Sequence, residues 1–586
     1  MTDALPDLAR RDLLVTGATL VDVFTQTTYP GWFTVADGRF VEVEAGSPTP
    51  SDLAGLTVAA RRDLGGAFVQ PGMLDVHMHV ESSLVTPRRF AEAALPHGTT
   101  TILQDPHEVA NVQGAEGVRR MIRAARGLPQ RVYAAISSCV PATSPDIETP
   151  NAALGAEDVT ALAAEPEVMA LGEVMDFQGL VHGDTKLRAI VAAARRAGLG
   201  VEGHVPSLTG VELSRYVAHG IRSDHTLATP AKLREELRKG LWVMLQEKSL
   251  TPDVVAAVVA LPDRSRVLLI TDDVVPNRLV DGHLSRVVAL AIEAGWPALD
   301  AVASATLRPA TYLGLADLGA VAPGARADFL VTDALCAYPP REVHVDGRLV
   351  AEAGRVVVAV PAPAVDWGPA TALASGNVAA EALGFGGPER HHGRHHVTAR
   401  VIEVNQVNSF TTLRERQVEL VDGVPTDPDL ALACVIPRAR LAAEGEGYRP
   451  TVCLVAGTGL EAGGYASSFA HDSHNVFLFG RDRALMKAAL ERVAEVGGGM
   501  AFTTGRDTAL LPLPIAGLLS DAPVPEVAAR FDALEGALRD AGMSVKTPVL
   551  LLTLLPLSVS PDYKVTDLGV VDVQARRVLS PEVIGR

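Results

Sequence analysis

Pro71-Gly-Met-Leu-Asp-Val-His-Met-His79 is the stretch on which the fold turns. It is a short apolar run closed by two histidines two residues apart. Residues i and i+2 of a strand project to the same face. The run therefore predicts a strand that presents His77 and His79 side by side, which is half of a metal site. Working outward, further apolar, β-branched runs end near Asp105, Thr143, Asp176, His204, His225, Glu247 and Asp272. Between them lie stretches with helical patterning, among them Arg88–Leu95, Gly114–Arg126, Lys186–Ala197 and Ala231–Lys239. Eight strands alternating with helices predict a (β/α)8 barrel over residues 71–314, a fold for which about 250 residues is typical. An open doubly wound sheet would show the same alternation. The barrel is preferred because polar residues stand at the C-terminal ends of the strands, where a barrel builds its active site.

The flanks read differently. Asp12–Val21 and Trp32–Glu44 alternate apolar and polar residues around an Asp37-Gly38 turn, and Val343–Val350 repeats the style around Asp346-Gly347. Residues 1–70 and 315–370 thus predict one small β-sandwich domain built from both sides of the barrel. Val360–Ala370 is rich in Pro and Ala, and Gly384–Arg394 in Gly, His and charge, which marks a linker. Residues 395–586 predict a third, α+β domain with helices near Arg483–Val496 and Val524–Ala541. The whole reads as an α/β protein of three units.

With 48% hydrophobic and 21% charged residues, the 586-residue chain is not mainly disordered. Its net charge of −17 would repel a phosphate backbone, which argues against a nucleic-acid partner. Apolar stretches such as Thr547–Pro561 are too short and too proline-broken to span a bilayer, and Met1–Arg11 has no apolar h-region, so no membrane partner is expected. Cys139, Cys336, Cys434 and Cys453 are scattered, with no CxxC, and read as reduced thiols of a cytoplasmic protein; the spacing of Cys434 and Cys453 leaves a disulfide open. Gly65-Gly66 and Gly497-Gly-Gly499 lack the strand–GxGxxG–helix setting of a nucleotide fold. His391, His392, His395 and His396 read as an exposed loop.

Three more metal-ligating groups close predicted strands: His204 the fifth, His225 the sixth and Asp272 the eighth. Singly each would be a loop polar group. Four histidines and an aspartate at four strand ends make a metal centre. This pattern resembles the amidohydrolase superfamily, in which such residues hold one or two divalent metals and a carboxylated lysine on the fourth strand bridges them. No lysine precedes Lys186, and the fourth strand ends Leu171-Gly-Glu-Val-Met-Asp176. Glu173 takes the bridging place, since a carboxylate needs no modification to bridge two cations.

Longer motifs resemble the adenine deaminase family: Glu81-Ser-Ser-Leu, Leu95-Pro-His-Gly-Thr-Thr-Thr101, Asp105-Pro-His-Glu-Val-Ala-Asn111, Gly172-Glu173, Thr271-Asp-Asp273, Ala466-Ser-Ser-Phe-Ala-His-Asp-Ser-His-Asn475, Leu513-Pro-Ile-Ala-Gly517 and Lys564-Val-Thr-Asp-Leu-Gly-Val-Val-Asp572. The resemblance spans nearly the whole chain after residue 12. It implies hydrolysis of adenine to hypoxanthine and ammonia, two Mn2+ or Fe2+ ions per chain with Zn2+ equally suited to the donors, and a homo-oligomer. On this reading Asp272 shuttles the proton, and His107 and Glu108 supply a second one to the ring with Glu247 behind them. Glu81, Asp273, His471, Asp472 and His474 belong to the substrate side. Departures from the family pattern are Thr226 for a glutamate, Gln246-Glu-Lys-Ser249 for Arg-Glu-Gly-Ser, and Pro437-Arg-Ala439 for Glu-Arg-His. Glu247 and Arg438 keep it. The competing reading is another amidohydrolase, acting on a cyclic amide or a related aminopurine. The cytidine-type zinc deaminases fail for want of Pro-Cys-x-x-Cys, and a non-catalytic binder or metal store fits an intact, open ligand set poorly.

Overall fold

The structure, a computed structural model, describes residues 9–583 except 369–372, 374, 406–409 and 443–446. The end of the proline- and alanine-rich linker, at 369–370, lies outside the described residues.

Eight parallel strand positions go round a barrel: Met73–His79, Thr99–Gln104, Arg131–Ile136, Val168–Val174, Gly200–Gly203, Ser223–Asp224, Trp242–Leu245, and Val267–Leu269 continued by Asp272–Asp273. Strands one to five form one ladder and six to eight another. A parallel bridge between Val201 and Ile221 joins them on one side. Asp272 and Asp273, paired with Met78 and His79, close the ring on the other. The strands are apolar on both faces, as a sheet covered inside and out requires. Leu74, Val76, Leu103, Ala135, Ala170, Met244 and Leu268 pack together with Tyr312 and Leu313 of the helix Leu307–Leu313.

The third strand ends at Ile136, well before Thr143. The following Ser137-Ser-Cys-Val-Pro141 run favours a turn over a ladder, and residues 137–152 leave the barrel to meet the C-terminal region. The eighth strand is interrupted at Ile270-Thr271, and Asp272 takes a φ of 61°. A non-glycine residue in the left-handed region costs about 1 kcal/mol or more and is typical of functional sites.

The strands from both flanks form one continuous nine-stranded sheet, in which Phe68–Pro71 lies between Arg10–Asp22 and Phe329–Thr332. Phe33 stacks edge-on against Phe40 and Phe329 at 5.2 Å in its core. Both expected hairpin turns are present, with Asp37-Gly38 at φ 48° and 75° and Asp346-Gly347 at 49° and 71°, the double positive φ that suits a tight antiparallel turn.

The C-terminal region centres on a second nine-stranded sheet with the helices Arg483–Glu495 and Val524–Asp540. It is not separate from the barrel. One apolar cluster runs from Met78, Val80, Leu84, Phe90 and Ile102 of the barrel to Phe469, Leu513, Leu519 and Phe531. Thr86 N–H donates to the Ser520 carbonyl at 3.1 Å, and Ser520 N–H to that of Leu84 at 2.8 Å. The loop after strand three is clamped as well: Thr149 donates from its amide (2.9 Å) and hydroxyl (2.6 Å) to Asp567.

Cys434 and Cys453 sit on adjacent strands, Leu430–Ile436 and Val452–Ala456, as free thiols. His391 corrects the exposed-loop reading of its cluster: it is buried, with Nε2 on the Gly386 carbonyl at 3.2 Å. His395 and His396 belong to the strand Arg394–Val404. Among the described residues no helix is long and apolar enough to cross a membrane.

Candidate active site at the barrel mouth

The six predicted ligands converge. His77 Nε2 and His79 Nε2 stand 3.7 and 3.5 Å from Asp272 Oδ1. Glu173 lies between two groups of imidazoles: Oε1 is 3.5 Å from His79 Nε2, while Oε2 is 2.6 Å from His204 Nδ1 and 3.1 Å from His225 Nε2. Two donors that share one ion at about 2.1 Å stand about 3.0–3.4 Å apart in tetrahedral or octahedral geometry; the His225–Glu173 pair falls in that range, the contacts to Asp272 and from His79 to Glu173 lie slightly wider, and His204 Nδ1 sits at hydrogen-bond distance from Glu173. Two sets, His77–His79–Asp272 and His77–Glu173–His225, each have donor atoms within 4.8 Å of one another. His77 Nε2 is buried and, among the described residues, makes no hydrogen bond, which leaves it available to ligate. Four imidazoles and two carboxylates fit divalent transition metals.

Around this set, a second ring of residues fixes orientation. Nδ1 of His77 pairs with Glu202 Oε2 at 3.1 Å, and Glu202 also accepts from the Tyr312 hydroxyl at 2.8 Å. Arg222 lies 4.0 Å over the Tyr312 ring. His79 Nδ1 meets the Asp105 carbonyl at 3.0 Å. The Asp105 carboxylate accepts from Ser137 Oγ (2.9 Å) and from the amide of Glu173 (3.1 Å). This explains the Gly172-Glu173 pair: a Cβ at Gly172 would fall 1.9 Å from Asp105 Oδ2. Gln246 Nε2 donates to Asp272 Oδ2 at 2.7 Å and to the His225 carbonyl at 3.2 Å. Glu202, Gln246 and the carboxylate of Asp105 carried no role in the sequence reading. Glu202 had a signal, its place two residues before His204 at the end of the fifth strand; Gln246 was marked only by the end of an apolar run.

Carboxyl-bound imidazoles hold the ligand and shape its metal affinity. Glu202→Gln is therefore expected to bind metal about 10–100-fold more weakly. Equal affinity in a chelator competition would reduce Glu202 to a space filler.

The centre's charges complement each other. Burial works against a charged His225, yet the Glu173 carboxylate wins and lifts its pKa to about 9. Burial likewise opposes a charged Glu173, but His225 and His204 hold its carboxyl well below the usual range. A cation that binds must displace the proton on His225. Metal uptake by stripped protein should thus release protons at pH 7, tighten as pH rises, and release progressively fewer as pH passes 9. Calorimetry in buffers of different ionisation enthalpy reads the release; proton-neutral uptake at pH 7 would contradict this arrangement.

Beyond the ligands lies a wall from two parts of the chain. His107 and Glu108 open the helix His107–Ala125. His107 Nδ1 is 3.7 Å from Glu173 Oε1 and its Nε2 3.6 Å from Glu108 Oε2. From the C-terminal region, His471 Nδ1 comes within 3.9 Å of Glu108 Oε1 and 3.4 Å of Asp472 Oδ1. Glu108, Asp273 and His471 form one close group, and His107, His471 and Asp472 another. Ser82 Oγ donates to Asp273 at 2.5 Å, and Val109 N–H reaches Glu81 at 3.5 Å. Both oxygens of Glu108, Glu81 Oε2 and Asp472 Oδ2 are buried and, among the described residues, make no hydrogen bond. Burial, then the nearby Glu81 carboxylate, raises the Glu108 pKa far above its ordinary range, and burial raises Glu81 to about 8. Both effects favour the protonated form of Glu108.

Three residues named from the sequence take other partners. Glu247 pairs with Arg286 at 3.0 and 3.1 Å, and among the described residues no hydrogen bond or ion pair joins it to His107 or Glu108. His474 turns Nδ1 onto the Ala470 amide at 3.1 Å, inside its own loop. Thr226 turns to Asp224 and Lys232; Lys232 Nζ lies 2.8 Å from Asp224.

Comparisons with known proteins agree along the chain. The family described as "Adenine deaminase C-terminal domain" matches residues 408–577, and "Amidohydrolase family" matches 68–359. An adenine deaminase of Desulfatibacillum aliphaticivorans is 35% identical over 570 residues, 96% of this chain and 95% of that protein. One from Moorella thermoacetica is 37% identical over 573 residues, covering 96% and 94%. A crystal structure of an adenine deaminase aligns with 58% of this chain and 99% of its own, at 15% identity and a TM-score of 0.44.

Proposed function

Because the chain belongs to the adenine deaminase family, we propose that it hydrolyses adenine at C6, giving hypoxanthine and ammonia, and serves purine salvage. The observation that carries this is the juxtaposition of a six-residue ligand set with Glu108, a buried acid whose oxygens make no hydrogen bond among the described residues. His77, His79, Glu173, His204, His225 and Asp272 would hold two divalent ions, Mn2+ or Fe2+ with Zn2+ also suited, which when bound lower the pKa of a water toward neutrality.

Water attacks C6. Asp272, kept ionised by its histidine neighbours, takes the proton of that water and delivers it to the departing amino nitrogen. Glu108 gives its proton to a ring nitrogen and so quenches the charge that develops on the ring; as the C6–N bond breaks, the remaining proton of the added water leaves the C6 hydroxyl and restores Glu108. His107, which burial keeps neutral, stands between Glu108 and Glu173 and completes the wall. Glu81, Asp273, His471 and Asp472 offer hydrogen bonds to the edge of a neutral purine; His474 shapes the loop that carries two of them. Glu247 takes no part.

The substrate is a free nucleobase. The charge of −17 disfavours a nucleic-acid partner, and we place the protein in the cytoplasm, without a membrane partner, as a homo-oligomer. A purine panel on Mn-loaded protein tests the function: ammonia from adenine with loss of adenine absorbance is expected. No ammonia from adenine, with turnover of a cyclic amide instead, would overturn it.

A further inference from the structure

Arg438 follows the strand Leu430–Ile436 and is 1% exposed. Its guanidinium donates to three main-chain carbonyls, those of His474 (2.5 Å), Ser468 (2.7 Å) and Ala516 (2.8 Å). Its amide donates to Asn475 Oδ1 at 3.1 Å. The carbonyls of Ser468 and His474 bracket the segment 469–473, which carries His471 and Asp472 into the barrel mouth. That segment lies between the strands Gly464–Ser467 and Val476–Gly480, so no sheet ladder holds it. Ala516 has a φ of 55°, and a Cβ on Gly517 would come within 2.8 Å of Arg438 Nη1. The Leu513–Gly517 turn is thus bent to bring its carbonyl and its glycine against the guanidinium.

The strap continues into the barrel. Asn475 Nδ2 donates to the Thr149 carbonyl at 2.7 Å. Asn151 Nδ2 donates to the Ser473 carbonyl at 2.7 Å and to Asn475 Oδ1 at 3.0 Å. A planar fork with divergent N–H groups can hold three carbonyls at once; an ammonium on a flexible stem does not reproduce that geometry.

We infer that Arg438 is a positioning residue that, with Asn475, holds His471 and Asp472 against Glu108 and His107, so that the substrate wall is assembled only when the C-terminal segment is strapped to the barrel. This rests on the adenine site proposed above.

The test uses the full-length, Mn-loaded protein. Arg438→Lys should keep its metal, lose about 100-fold in kcat/KM for adenine, mostly in kcat, as a wall displaced by about 1 Å would, and show faster amide hydrogen exchange confined to 466–475. His471→Ala alone should be slow, and Arg438→Lys added to it should cost nothing further. A merely structural arginine would give additive losses. Near-parental kcat/KM in Arg438→Lys, additive losses, or unchanged exchange of 466–475 would each overturn the inference. Should Arg438→Lys lose its metal, Asn475→Ala cuts the same strap at its other anchor and must show the same non-additivity with His471→Ala; additivity there overturns the role. An inactive parental protein would sink the adenine reading instead, and the exchange measurement then still decides whether Arg438 holds the segment.

Discussion

Asp272→Asn keeps its metal and loses turnover by about three to four orders of magnitude. The size follows from whichever of the carboxylate's two transfers limits the rate, since a positioned transfer contributes about 10²–10⁴-fold. The substitution isolates that chemistry. Asparagine has the shape of aspartate, and it tolerates the left-handed φ of 61° that this position adopts. Its amide oxygen can still accept from Gln246 Nε2, the contact that aims Asp272 at 2.7 Å. Four imidazoles and Glu173 remain to hold the ions. Activity and metal content should therefore part company, with kcat collapsing while elemental analysis stays near the parental value. A variant that turns over at near-normal rate would remove Asp272 from the mechanism.

Glu173→Ala is expected to do the opposite and strip the centre, from two ions per chain to one or none. Its carboxylate sends one oxygen toward His79 and the other toward His204 and His225, and so joins the two groups of imidazoles. Removing it also removes the charge that draws these histidines together; His204 Nδ1 and His225 Nε2 are only 3.2 Å apart. Activity falls with the metal. Elemental analysis of the purified variant after reloading with Mn2+ measures it, and full occupancy would mean that the bridge lies elsewhere.

How much of this was legible in the chain follows from what sets each residue's place. The metal ligands stand out because each is local to a strand end. An HxH on a strand fixes two imidazoles to one face whatever surrounds them, and a barrel gathers the ends of its strands at one mouth. The helices Pro87–Ala94, Thr185–Arg196 and Pro230–Arg238 announce themselves for a similar reason, through patterning within a few turns. The hairpin turns at Asp37-Gly38 and Asp346-Gly347 are equally local.

Other features depend on partners far away in the sequence. Gly172 is a glycine because Asp105 needs its space. Glu247 leaves the active-site wall because Arg286, on a later helix, claims its carboxylate at 3.0 Å. The third strand stops at Ile136 because the loop after it has hydrogen bonds waiting in the C-terminal region, at Asp567 and Asn475.

By itself, then, the sequence determined the barrel, a candidate ligand set and the family resemblance, since all three are written in short-range spacing. Only the tertiary structure decided which groups complete the site. Placing His471 beside Glu108, or Arg438 beneath the loop that carries His471, requires segments hundreds of residues apart to share one apolar core. No local pattern encodes such a contact; it is set by the burial of Met78, Phe90 and Ile102 against Phe469 and Leu513, and by the polar groups that this burial forces to find partners.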